Sequence, residues 1–361
     1  MKVVNFGNTY DVYNGTLNTY DMLPAQTYYV RFQEFKGFFL EKRNDIEIGE
    51  DKIYGVHTEK VQKVLSAFTK VTRNLGVILS GDKGIGKSLF ARCLCVSAAQ
   101  MNIPTIIVDQ YIPGIDSYID KIEQEVLVLF DEFDKTFSEQ KEQTSLLSLF
   151  DGYSSGKKLF VITCNDHRKL NQFLINRPGR FHYHIRFQYP SPDEIREYLH
   201  DKVEPQYHGE IDGIVRFSQR TNCINYDCLR AIAFELNMGI CCNEALTDLN
   251  IVKTDDKVKV EAELYYSNGV VLKSKEEIDM TGEHEVLYLC DNKGNNVVDV
   301  SFYMCNVKFN YQDNYFYVDT EDISFEYDRR YSKEFEEVII GAHVVKFIMR
   351  RSHLSDIHYT L

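Results

Sequence analysis

Gly76-Val77-Ile78-Leu79-Ser80-Gly81-Asp82-Lys83-Gly84-Ile85-Gly86-Lys87-Ser88-Leu89 decides how this chain folds. An apolar run leads into G-x-x-x-x-G-K-[ST], matched at every fixed position, and a helical pattern follows from Leu89 to Ala99. Strand, glycine loop and helix in that order make a phosphate loop. Its glycines let successive backbone N–H groups turn onto phosphate oxygens at the positive end of a helix. Lys87 is placed to reach the β- and γ-phosphates, and the Ser88 hydroxyl to ligate Mg²⁺. The expected ligand is a nucleoside triphosphate, held by Gly81, Asp82, Lys83, Gly84, Ile85, Gly86, Lys87, Ser88 and Leu89.

Downstream, Thr105-Ile106-Ile107-Val108 and Val126-Leu127-Val128-Leu129-Phe130 are wholly apolar, as strands buried on both faces must be. The second ends in Asp131-Glu132. Carboxylates there suit two tasks: Asp131 holds Mg²⁺ through its water shell, and Glu132 polarises the attacking water. A helix from Gln143 to Phe150 precedes a fourth strand, Leu159 to Cys164, which ends at Asn165. A polar side chain there can bond the γ-phosphate or the water. Asn176-Arg177-Pro178-Gly179-Arg180-Phe181 and a last strand near His182–Phe187 complete a parallel α/β sheet covered on both faces. Just upstream, Tyr54, Gly55 and Val56 precede an amphipathic helix carrying Val61, Val64, Leu65 and Phe68. They are candidates for contact with the base, or for plain packing.

The chain has 361 residues, 44% hydrophobic and 26% charged, enough for two or three domains. No apolar run is long enough to span a membrane, and the N-terminus does not open as a signal peptide. Nine scattered cysteines form no CxxC pair and no zinc-spaced cluster, which points to a reducing cytoplasm. A formal charge of −13 disfavours indiscriminate binding to nucleic acid, although a local basic patch would escape that average.

Four segments are expected. Residues 1–50 form a β-rich extension, either packed on the next domain or used for docking. Residues 51–190 hold the α/β domain. Residues 191–250 form a small helical lid, opened by the strong helix start Ser191-Pro192-Asp193-Glu194. In residues 251–361 the hydrophobic period drops to two, giving a β-sandwich or open barrel with 21 acidic against 13 basic residues. His343, His353 and His358 are spaced too loosely there to make a site.

With these motifs in this order, residues 51–245 resemble an AAA+ ATPase, and the core is closest to the AAA clade in the narrow sense. Leu146-Leu147-Ser148-Leu149-Phe150-Asp151-Gly152, Thr163-Cys164-Asn165-Asp166 and Arg177-Pro178-Gly179-Arg180-Phe181 carry the closer likeness. The whole is similar to AAA family ATPases of bacteria and their phages. The resemblance implies ATP and Mg²⁺ as cofactors, Asn165 at the sensor-1 position, and Arg177 and Arg180 as arginine fingers acting on a neighbour's ATP. It therefore implies a homo-oligomeric ring, usually of six. Arg230 lies where wider AAA+ proteins place a sensor-2 arginine, or is a solvated helix residue. Tyr111-Ile112-Pro113-Gly114 lies where unfoldases carry an aromatic pore loop, with a second loop near Tyr153-Ser154; a Pro-Gly turn with a packed tyrosine is the alternative.

The leading expectation is a ring-forming, ATP-hydrolysing remodeller of a protein partner. The alternatives are a DNA-associated protein of helicase- or clamp-loader type, and a slowly hydrolysing scaffold or switch.

Overall fold

The chain folds as two units, Met1–Gln188 and Tyr189–Leu361. The computed structural model describes residues 1–352 apart from 7, 51, 56, 152–155, 176–179, 222, 252–256, 292, 311, 312, 314 and 328–331. Val56, Tyr153-Ser154, Arg177, His353 and His358 therefore lie outside the described residues.

In the first unit β1 (Lys2–Phe6) and β2 (Thr9–Tyr13) pair as a hairpin of their own. The remaining strands, β3 (Thr27–Gln33), β4 (Gly37–Lys42), β5 (Leu75–Ser80), β6 (Thr105–Val108), β7 (Val126–Phe130), β8 (Lys158–Cys164) and β9 (Phe181–Arg186), form one sheet. Its order is β4-β3-β6-β7-β8-β5-β9, and every pair is parallel except β3 with β4. The segment before residue 51 thus supplies two strands to the nucleotide-domain sheet itself.

Alternate residues explain why the strands read as unbroken apolar runs. Ile78, Val128, Phe130, Phe160 and Ile162 pack into one core, and Val77, Leu79, Leu127, Leu129 and Val161 into another. A strand with a core on each face has no position left for a polar residue. One face is covered by α1 (His57–Lys70), whose Val61, Val64, Leu65 and Phe68 are buried as their spacing requires, and by α2 (Lys87–Gln100). The other is covered by short helices, including Ile115–Asp120 and Phe133–Thr136. The helix expected over Gln143–Phe150 is two pieces, Gln140–Ser145 and Leu147–Phe150.

The second unit opens with helices Pro192–Lys202, Ile211–Thr221, Tyr226–Asn237 and Cys242–Asp248. Ser191 caps the first by accepting from the Glu194 N–H, while the Glu194 carboxylate accepts from the Ser191 N–H. Eight strands follow among the described residues: β10 (Lys257–Tyr266), β11 (Val271–Asp279), β12 (His284–Cys290), β13 (Asn296–Tyr303), β14 (Lys308–Asn310), β15 (Tyr315–Val318), β16 (Ile323–Tyr327) and β17 (Val344–Arg351). They make a single antiparallel sheet, a half-barrel ordered β14-β15-β17-β10-β11-β12-β13-β16, rather than two sheets face to face. Helices and sheet are joined by the buried Arg220, which donates to the Met304 carbonyl and accepts through its own carbonyl from Arg351 at 2.9 Å.

Candidate nucleotide site

The carboxyl ends of β5, β7 and β8 lie side by side, because β8 sits between the other two and all three are parallel. Each end delivers one part of the site. β5 runs into the glycine loop. Gly81, Gly84 and Gly86 have φ of 140°, 73° and 97°, a region that favours glycine. At Gly81 a Cβ would also stand 2.6 Å from Ile85 Cδ1 and 2.7 Å from the Phe187 carbonyl oxygen, so the loop has no room for a side chain there.

Lys87, the first residue of α2, is buried. Its Nζ donates to the carbonyl of Gly81 at 2.6 Å and to that of Asp82. Burial lowers its pKa, while Cys164, Asp82, Asp134 and Asp131 pull the other way. An ammonium held by carbonyls in a desolvated loop is poised to exchange them for phosphate oxygens, which stabilise its charge better. Ser88 is exposed in the same helical turn, and Leu89 is half-buried.

β7 ends at Asp131 and Glu132, and β8 fixes both. Thr163 Oγ1 donates to Asp131 Oδ1 at 2.7 Å and accepts from the Glu132 N–H at 2.8 Å. Glu132 has φ 46° and ψ 47°, a left-handed conformation that costs a non-glycine residue roughly 1–2 kcal/mol. Its carboxylate pairs with Lys135, which holds its pKa below the ordinary range. Glu132 is thus ionised and half-exposed at the strand end, able to accept a proton or orient a water.

Asp134, three residues past Asp131, was not evident from the motif. It is 5% exposed and accepts from the backbone N–H groups of Asn165 and Asp166 at 3.2 and 3.3 Å. It ties the end of β8, and so the half-buried Asn165, to the helix that follows Glu132. The signal in the sequence was a third acid, two residues past the strand-end pair.

The donor set suits Mg²⁺. A serine hydroxyl and one oriented carboxylate leave most of an octahedral shell to water and phosphate oxygens, as that ion prefers. Among the described residues no group of three or more His, Cys, Asp or Glu could hold a metal without nucleotide.

Around this centre the other candidates fall differently. Tyr54 is buried with the Lys52 ammonium 5.0 Å from its ring centre, and Gly55 is exposed with φ 77°. His57, unremarked in the sequence, is buried beside the loop. A Cβ on Gly86 would lie 3.2 Å from its Nε2, and its ring stacks on Phe187 at 5.5 Å. Ser80 bonds His184 Nε2 at 2.7 Å, and burial, with Arg186 and His167, pushes that imidazole down to about 4. His184 is therefore neutral near pH 7.

Two candidates differ from what the resemblance implies. Arg180 is 6% exposed and turned into its own chain, where Nη2 donates to Asp151 Oδ2 at 2.7 Å, Nε to Oδ1, and Nη1 to the Phe173 carbonyl at 2.9 Å. A guanidinium with three such bonds cannot reach a neighbour's nucleotide without giving them up. Tyr111 is half-buried: its ring packs edge-on against Phe137 at 5.7 Å, lying against the core on that face. Arg230 is exposed on helix Tyr226–Asn237 of the second unit.

A glycine loop and paired carboxylates at the carboxyl edge of a parallel sheet define a P-loop nucleotide-binding domain. Residues 77–189 match the family model for the ATPase family associated with various cellular activities (AAA). The chain carries an AAA ATPase domain. No curated protein matched the chain.

Proposed function

We propose that this chain hydrolyses ATP with Mg²⁺, and that it does so as a ring, six-membered by preference, which remodels a protein partner. The observation that carries the chemistry is Thr163 bonding both Asp131 and the Glu132 backbone within a site already holding a buried Lys87. The loop amides and Lys87 bind the triphosphate. Ser88 and Asp131 would hold Mg²⁺, which would supply positive charge against the triphosphate. Glu132 orients and deprotonates the attacking water, and Asn165, positioned through Asp134, contacts the γ-phosphate or that water. Tyr54 and Gly55, just upstream of α1, are the candidates to contact the base.

In this reading Arg177 is the residue lent to the adjoining subunit, and Arg180 braces the segment that presents it. An arginine supplied in trans contributes on the order of 10³–10⁵ in rate, so a lone subunit is nearly inert. The test is turnover per subunit against protein concentration, together with Glu132→Gln. The expected result is a rate that climbs as subunits assemble, and a variant that binds ATP without cleaving it. Equal rates in dilute and concentrated protein would overturn the ring. Unimpaired hydrolysis by Glu132→Gln would overturn the mechanism.

A further inference from the structure

His200 and His208 face each other in the second unit, Nδ1 to Nδ1 at 3.1 Å, with ring centres 4.5 Å apart and ring planes at 89°. His200 stands in the last turn of helix Pro192–Lys202, and His208 in the 3₁₀ turn Pro205–Glu210 that follows it. What two such nitrogens do depends on which of them carries a proton.

The proton on His208 is placed by its other nitrogen. Nε2 lies 2.9 Å from the Val203 carbonyl oxygen, and a carbonyl can only accept, so Nε2 holds the hydrogen. The neutral ring then presents a bare lone pair at Nδ1. Metal-binding histidines adopt this arrangement, with the far N–H held by an oxygen and the near nitrogen offered to the ion. His200 is exposed, and its Nδ1 bonds nothing but His208 among the described residues.

The link between the two rings is fixed from outside. Asn237 Oδ1 accepts from the Glu204 N–H at 2.8 Å, and its Nδ2 donates to the Lys202 carbonyl at 2.9 Å. The Val203 N–H bonds the Leu199 carbonyl at 2.8 Å, and the Tyr207 N–H that of Glu204 at 2.9 Å. The backbone that carries both nitrogens is therefore set by a third helix as well as by its own turns. With bonds of about 2.0–2.1 Å, a tetrahedral zinc holds two ligand nitrogens about 3.3 Å apart. The pair has to open only slightly to take one.

We propose that His200 and His208 form a two-imidazole site for a borderline divalent transition metal, Zn²⁺ or Ni²⁺, with water in the remaining positions. The site stands apart from the nucleotide and does not depend on the ATPase reading. Imidazole nitrogens select these ions over Mg²⁺ and Ca²⁺, which take oxygen ligands. The last carbonyls of helix Pro192–Lys202 favour positive charge at that end. Among the described residues no third His, Cys, Asp or Glu completes the pair, so the site is open and exchangeable rather than closed. Once bound, the ion staples the end of this helix to the following turn.

ZnCl₂ is titrated calorimetrically into the full-length protein in chelator-free buffer, and thermal melts are recorded with and without ZnCl₂ or NiCl₂. His200→Asn and His208→Ala should each weaken zinc binding at this site at least tenfold and abolish the rise in melting temperature that both ions give the wild type. The amide of His200→Asn can still donate to His208 Nδ1, so it keeps a plain hydrogen bond while removing the ligand. Its metal-free melting temperature should match the wild type. Zinc held by any of the nine cysteines persists in both variants and cancels in the difference. Equal zinc affinity and an equal melting shift in wild type and His200→Asn would overturn the proposal, as would a wild type that takes up neither ion.

Discussion

Arg180 and Asp151 form a two-pronged ion pair inside one chain, Nη2 to Oδ2 at 2.7 Å and Nε to the other carboxylate oxygen. The guanidinium is 7% exposed and the carboxylate 32%. Removing one partner strands a desolvated charge, which costs about 2–4 kcal/mol at such a site. Arg180→Ala and Asp151→Ala should therefore each lower the urea midpoint clearly. Arg177→Ala should leave it almost unchanged while reducing turnover by about 10³-fold or more. Urea melts and ATPase rates on the three variants check this, and an unchanged midpoint in Arg180→Ala would contradict the brace.

Thr163 should matter to catalysis without touching substrate. Thr163→Val keeps the side-chain shape but removes the bonds to Asp131 and to the Glu132 N–H. Outer-sphere changes of this kind typically cost about 10–100-fold in metal affinity or activity. The expected outcome is a higher Mg²⁺ requirement and slower turnover, with metal-free nucleotide affinity preserved. A Mg²⁺ titration of the ATPase rate measures it.

Gly76 has no free space. A Cβ there would lie 2.4 Å from the Arg180 carbonyl oxygen and 2.6 Å from Phe181 Cδ1. The first of these is backbone and cannot swing away. Gly76→Ala should push β9 from β5 and destabilise the nucleotide domain by about 1–3 kcal/mol. Thermal melting with and without ATP would show the loss, whereas Gly15→Ala, with nothing within 4 Å, should be silent.

Glu263 gives the C-terminal unit an acid-sensitive clasp. Partial burial pushes its pKa up, but Lys273, Tyr265 and Arg350 all donate to it and together hold it at about 2. A carboxylate depressed on folding stabilises above its unfolded pKa of ~4.3. That contribution drains away as pH falls from there toward 2. Replacing the glutamate by Gln should cost on the order of 1–3 kcal/mol near pH 7 and flatten the stability profile between about pH 4.5 and 2. Urea melts across that range, read on wild type and variant, provide the check.

The sequence by itself determined the nucleotide domain. The phosphate loop is one contiguous stretch whose backbone is set by its own glycines. A strand buried on both faces has to be apolar throughout, so β5, β6, β7 and β8 announced themselves, and Asp131-Glu132 with them. The capping residues of Pro192–Lys202 were equally local. Only the tertiary structure decided what depends on distant pairs. β3 joins β6 across nearly 80 residues of chain, a pairing that no local pattern in either strand names. Thr163 meets Asp131 across 32 residues. Arg180 turns inward because Asp151 waits 29 residues upstream, and Tyr111 packs because Phe137 lies beneath it. A motif records which side chain is present; where that side chain points is fixed by desolvation and packing against residues the motif does not contain.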